Sequence, residues 1–153
     1  MKGLENKIPP PAVALLVATA MWGLAEATPN MPVDNTTRLA LVALCYLLGA
    51  GFSLGGVMSF RRAKTTVNPL KPESASALVD TGIYRYTRNP MYVGFALFLL
   101  AWAVFLSSLW ALLGLPLFIA YIQHFQIRPE ERALEGIFGS EFLDYKRRVR
   151  RWL

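Results

Sequence analysis

Charged residues are absent from three long stretches of the chain, Ile8 to Ala25, Leu39 to Phe60 and Asn89 to Ile127, of 18, 22 and 39 residues. A run of about 18 or more apolar, uncharged residues is a candidate membrane span. The first stretch predicts a helix over residues 12–27, with Pro11 near its first turn, where a missing N–H costs little. The second predicts a helix over 39–60. Gly51 and Gly55 in it form a small-xxx-small pair that admits a close neighbour. The third is too long for one helix, and Ser107-Ser108 divides it into 91–106 and 109–127, joined as a tight helical hairpin. Pro116 is placed to kink the last of these. The pattern is all-α: a polytopic membrane protein of about four spans, one domain over 1–153, with polar segments 61–90 and 128–153 forming a cap.

Composition sharpens this reading. Apolar residues make up 54% of the 153 and charged residues 17%, against about 25% charged in an ordinary soluble domain. A soluble globule, a disordered chain and a disulfide-stapled domain are all disfavoured. The net charge of +6 could point to nucleic acid, but the basic residues flank apolar spans, where they set topology and meet anionic lipid. The loop after the second span carries Arg61, Arg62, Lys64, Lys71, Arg85 and Arg88, and seven more basic residues follow Ile127. The opposite connections hold only Arg38. Both termini and the cap are therefore expected on the cytoplasmic side. Ala18-Thr19-Ala20 has the form of a signal cleavage site but falls inside the apolar run rather than after it, so a cleavable leader is not expected.

The cap has its own pattern. Pro69 and Pro72 forbid a continuous helix in the first cytoplasmic segment, and Thr81-Gly82 is a turn signal. Leu78, Val79, Ile83, Tyr84, Tyr86 and Tyr92 are too apolar and aromatic for a linker. After the last span, Pro129, Glu130 and Glu131 suit a helix start, Gly139 a helix end and Ser140 a new cap. Residues 145–153 mix Lys and Arg with Val149, Trp152 and Leu153, as an interfacial helix on an anionic leaflet would.

Each candidate for chemistry has a plainer alternative. Glu130 and Glu131 could be helix N-terminal electrostatics, or a carboxylate aimed at a cationic or hydroxyl-bearing ligand. Arg88-Asn89-Pro90 could be topogenic charge plus capping. Glu26 could be functional, but it is near the end of its span and reads better as reaching the interface. His124, between Gln123 and Gln126, reads as a helix contact, and Cys45 as a small buried apolar residue. One cysteine and one histidine leave no basis for a structural zinc site, and no metal is expected. No phosphate-binding glycine loop is present.

The segments TGIYRYTRNPMYVG and, after the hairpin, PEERALEGIFGSEFLDYKRRVRRWL resemble the isoprenylcysteine carboxyl methyltransferase family, which is related to the membrane phospholipid methyltransferases. The resemblance covers Leu78 to Leu153 and is similar to small bacterial members. It implies S-adenosylmethionine as methyl donor, a bacterial inner-membrane location, and a lipophilic or small nucleophilic acceptor from the bilayer. By matching position it implies cofactor binding by Asn68, Ser76, Ala77, Leu78, Val79, Tyr84, Asn89, Pro90, Met91, Tyr92 and Glu130. It places the methyl transfer near Asn89, Gln126 and Glu130. Asn89 stands where many members have histidine, and Gln126 where prenylcysteine methylating members have arginine. A neutral amide is a weaker carboxylate anchor than a guanidinium, which favours a neutral acceptor. Two other readings stay open: a noncatalytic membrane assembly or binding subunit, and an NADPH-linked membrane reductase of related helical fold.

Overall fold

A computed structural model describes Glu5, residues 7–63 and residues 76–153. All its regular elements are helical, and no strand occurs among the described residues. Six α-helices follow in order: α1 (Pro10–Glu26), α2 (Asn35–Arg62), α3 (Pro90–Leu106), α4 (Gly114–Ile122), α5 (Arg128–Phe138) and α6 (Ser140–Arg148). Short 3-10 turns occupy Gly82–Arg85 and Trp110–Leu113, and a π-helical turn, Gln123–Ile127, joins α4 to α5. Two helical rods are long and apolar enough to cross a membrane: Asn35–Arg62 and Trp110–Phe138. Two shorter apolar helices, Pro10–Glu26 and Pro90–Leu106, stand beside them.

The helix α1 begins on Pro10 and Pro11 and buries Val13, Val17, Met21 and Ala25, one residue per turn along a single seam. That seam packs on α3 and on the rod containing α4. Trp102 in α3 donates its indole N–H to the Ala18 carbonyl at 3.0 Å. Gly114 lets the rod approach α1 closely, since a Cβ there would stand 2.4 Å from Met21 Cγ. Phe118 and Ile122 complete the buried centre with Leu99, Ala103 and Ile127.

The N-cap of α2 is Asp34, which accepts from the Thr37 N–H at 2.9 Å. This helix buries little beyond Gly49 and Gly56 and packs mainly on α3. Leu44, Tyr46, Leu47, Leu54 and Met58 project outward, as suits a surface bathed in hydrocarbon. The close approach differs from the expected Gly51–Gly55 pair. A Cβ on Gly51 would meet nothing within 4 Å, whereas one on Gly94 of α3 would lie 2.1 Å from Ser53 Oγ and 2.7 Å from the Gly49 carbonyl. A four-residue spacing identifies a groove but not the side of the helix on which the partner sits.

The turn at Ser107-Ser108 forms as expected. Ser107 takes a left-handed conformation, φ 51°, and ends α3. Ser108 accepts from the Ala111 N–H at 3.3 Å and pairs with the Thr28 hydroxyl. Two expectations need correction. The rod that starts at Trp110 does not stop at Ile127 but continues to Phe138. It passes Pro116 and widens just before Pro129, which cannot donate to the preceding turn. Second, residues 145–153 are not one interfacial helix. The α6 helix ends at Arg148, and Val149 is extended, φ −123° and ψ 135°. Residues 149–152 then lie back against the start of α3.

Candidate active site

The segment before α3 meets the C-terminal helices in a small aromatic cluster. Gly82 holds φ 62° at the head of a 3-10 turn that carries Tyr84 inward. Tyr84 meets Phe60 edge-on, with centroids 5.4 Å apart. Its carbonyl accepts from the Tyr145 hydroxyl at 2.9 Å. Val79, Phe142, Tyr145 and Val149 complete the cluster, with Leu78 and Ile83 against it. Burial, together with Tyr145 and Glu130 nearby, pushes the Tyr84 phenol up.

Asn89 is the N-cap of α3, but its side chain makes no cap bond. Its amide instead donates to the Arg151 carbonyl at 2.8 Å. One turn into α3, the Tyr92 hydroxyl donates to Glu130 Oε1 at 2.6 Å, tying α3 to α5. Glu130 lies three residues beyond the charge-free stretch, mostly buried, and burial pushes its carboxyl up to about 8 despite the Tyr92 hydrogen bond.

Successive residues of an α-helix point about 100° apart, so Glu131 faces a different group of partners. Arg88 Nη2 donates to its Oε1 at 2.7 Å, and Arg151 binds both oxygens through Nε and Nη2. Burial opposes the Glu131 charge, but hydrogen bonds from Arg151 and Arg88 outweigh it and hold the carboxyl below its ordinary value. Arg88 also donates to the carbonyls of Lys146 and Val149, and its backbone N–H to the Arg150 carbonyl. Thr87, fully buried, donates to the Arg151 carbonyl at 3.1 Å. Trp152 donates to Gln123 in the π turn at 3.1 Å.

Of the residues expected from the sequence, Tyr92 and Glu130 come into direct contact, with Tyr84 nearby. Asn89 lies three residues before Tyr92 and is held by the strap of residues 149–152. Val79 is buried in the aromatic cluster, Ala77 and Leu78 are half-buried, and Ser76 is exposed. Pro90 is buried, while Met91 faces Gly56 of α2. Gln126 is fully buried on a different face, where its Nε2 donates to the Ile8 carbonyl at 2.8 Å and its Oε1 has no partner among the described residues. Asn68 lies outside the described residues. Glu26 and His124 are exposed, the latter 3.4 Å from Arg128 Nη1, and Cys45 is half-buried. The sequence reading weighed Glu131 beside Glu130 but carried only Glu130 into the site, and it missed Thr87 and Arg151 as site builders. The one signal for Arg151 was the second carboxylate beside Glu130, which calls for a basic partner.

The chemistry of these groups fits a sulfonium-bearing nucleoside donor. The Glu130 carboxyl can accept from an ammonium or from ribose hydroxyls, and Leu78, Val79 and Tyr84 offer apolar and aromatic faces. A cavity of about 290 Å³, lined by Asp80, Thr81, Arg85, Tyr145, Arg148 and Val149, opens beside the aromatic cluster. Tyr145 and Val149 belong both to its wall and to the aromatic cluster.

Comparison with known proteins bears on this geometry. The family model for phospholipid methyltransferase matches residues 37–141. An "Uncharacterized protein" of Haemophilus influenzae is 49% identical over 63 residues, 41% of this chain and 100% of that protein. The protein-S-isoprenylcysteine O-methyltransferase of Saccharomyces cerevisiae is 35% identical over 82 residues, covering 52% of this chain and 33% of the yeast enzyme. The enzyme of the same name from Mus musculus is 35% identical over 74 residues, 47% of this chain and 25% of its own length. The matched region thus spans a third or less of these two enzymes. No solved structure matches significantly. The match over 37–141 covers more than half of the sequence, and the apolar helical rods agree with it: the chain belongs to the phospholipid methyltransferase family of membrane proteins and is related to the isoprenylcysteine O-methyltransferases.

Proposed function

We propose that this protein transfers a methyl group from S-adenosylmethionine to a lipophilic or small membrane-partitioned acceptor at the cytoplasmic face of a bacterial inner membrane. In this reading 1–153 is one domain, the helices at 10–26, 35–62, 90–106 and 110–127 all cross the bilayer, and both termini face the cytoplasm. The Lys/Arg bias supports that orientation. The observation that carries the reading is the Tyr92–Glu130 contact, which sets a largely buried carboxyl where the apolar bundle meets the polar cap.

Bound S-adenosylmethionine supplies the electrophilic methyl on its sulfonium. Glu130 holds the donor's ammonium or ribose, Tyr92 orients Glu130, and Leu78, Val79 and Tyr84 enclose the adenine. In-line displacement needs alignment and exclusion of water more than an acid, which agrees with a site lacking a titrating imidazole at Asn89. An acceptor that stays in the bilayer keeps about 0.8 kcal/mol per buried CH₂.

Calorimetry on the detergent-purified protein tests this, with S-adenosylmethionine, S-adenosylhomocysteine and NADPH as titrants, followed by methylation of a total lipid extract with labelled donor. Binding of the first two and not of NADPH is expected. Well-folded protein that binds neither adenosyl compound refutes the proposal, and NADPH binding alone supports the reductase alternative. The names of the yeast and mouse relatives favour a second acceptor, a prenylcysteine carboxylate. Efficient methylation of a prenylcysteine by the wild-type protein would overturn the neutral-acceptor reading of Gln126.

A further inference from the structure

Residues 149–152 cross the cap between two helices that contribute to the proposed site, and one residue of that strap touches both. The Arg151 guanidinium grips both oxygens of Glu131 in α5. Its backbone carbonyl accepts from the Asn89 amide at 2.8 Å and from the Thr87 hydroxyl at 3.1 Å at the head of α3. Asn89 stands three residues before Tyr92, and Glu131 is next to Glu130. The two residues joined by the 2.6 Å contact are therefore each fixed, on their own helix, by a neighbour that Arg151 holds.

Resting on the function proposed above, we propose that Arg151 is a positioning residue, setting the spacing of α3 and α5 so that Tyr92 and Glu130 meet. The planar fork of an arginine serves this role, because two parallel bonds to a carboxylate fix direction as well as distance. The adjoining contacts limit the strap's freedom. Arg88 holds the Val149 and Arg150 carbonyls, and Trp152 is bonded to Gln123. Arg88 also keeps Glu131 paired when Arg151 is replaced, so the fold does not depend on Arg151 alone. Glutamine at this position removes the fork and leaves the backbone carbonyl to Thr87 and Asn89. Lysine restores a charge without the planar geometry.

The test compares wild type, Arg151→Gln and Arg151→Lys for S-adenosylhomocysteine affinity by calorimetry and for thermal midpoint without ligand. The expected result is about a tenfold loss of affinity in Arg151→Gln and a loss of similar size in Arg151→Lys, which keeps the charge but not the fork, with the two variants melting together. Equal affinity in wild type and Arg151→Gln overturns the positioning role, as does a loss of affinity that follows the thermal midpoint in both variants. If Arg151→Gln does not fold, Thr87→Val removes one bond to the strap and leaves Glu131 paired. A loss of several-fold in affinity at an unchanged midpoint supports the role, and unchanged affinity overturns it. Wild-type protein that binds no S-adenosylhomocysteine instead refutes the proposed function, so the two failures are distinct.

Discussion

Glu130 makes the proposed donor site sensitive to pH in a defined direction. Its carboxyl is raised from 4.5 to about 8, with burial the largest cause, so at neutral pH it is mostly protonated. A ligand whose ammonium pairs with Glu130 must first expel that proton. Affinity for S-adenosylhomocysteine should then rise about tenfold per unit as pH approaches 8 from below, 1.4 kcal/mol per unit, and level off above it. Between pH 6 and 8 the gain is about fiftyfold, and at pH 7 about 0.9 proton is released per ligand bound. Proton release is measured by calorimetry in buffers of different ionisation enthalpy, and the affinity slope by the same titrations across pH. Glu130→Gln should bind weakly and with a flat profile, because the amide keeps an acceptor for Tyr92 but cannot ionise. The sign is opposite for stability. A carboxyl raised in the folded state binds more protons folded than unfolded, so Glu130 lowers stability progressively from about pH 4.5 to about pH 8. Wild-type affinity that is flat between pH 6 and 8, or a slope that survives in Glu130→Gln, would refute the assignment of this carboxyl to the donor.

The remaining predictions concern the supports of the site. Glu131→Gln leaves Arg88 and Arg151 facing each other without a counter-charge and should cost about 3–5 kcal/mol, read as a lowered midpoint in detergent. Because hydrogen bonds from Arg151 and Arg88 depress the Glu131 carboxyl despite its burial, its contribution is full above the ordinary carboxylate range and is lost as pH falls through the depressed value. Acid titration of the midpoint checks that sign. Gly94→Ala pushes a methyl into Ser53 and the Gly49 carbonyl, and should cost about 1–3 kcal/mol by parting α2 from α3. Gly51→Ala, facing open space, is the control and should leave the midpoint unchanged. Gln126→Leu removes the bond to the Ile8 carbonyl but also a buried oxygen that has no partner among the described residues. Stability should therefore change by no more than about 1 kcal/mol, and methyl transfer to lipid extract should be retained, because the amide faces α1 and not Glu130.

The elements that were legible in the sequence are those set by simple contrasts. Two adjacent serines near the middle of a 39-residue uncharged stretch locate the hairpin, because they divide it into two apolar runs each long enough for a helix. Gly139 ends α5 as expected, with φ 54°. Tyr92 and Glu130 were legible only as a pair of motif positions, and their contact needed the packing of α3 on α5. The strap was not legible. Lys and Arg interleaved with Val149 and Trp152 give the same pattern whether they lie on a lipid surface or fold back onto Glu131. Nor could the sequence separate the tasks of Glu130 and Glu131, because helix phase across the π turn decides which of them faces Tyr92. Gln126 was expected beside Glu130, one helical turn away. The wider turn that ends at Ile127 turns its amide toward the start of α1 instead.

That π turn also governs which deletions the protein can absorb. Five residues, Gln123 to Ile127, fill a space that four would fill in an α-helix. Removing one residue inside the turn lets the segment close as ordinary α-helix, with the rods on either side keeping nearly their original bearing. Removing one residue from α4 offers no such relief. It rotates α5 by about 100° relative to the rest of the bundle and carries Glu130 away from Tyr92. Length variation along this rod is thus tolerated at one address only, and that address lies where Trp152 is fastened.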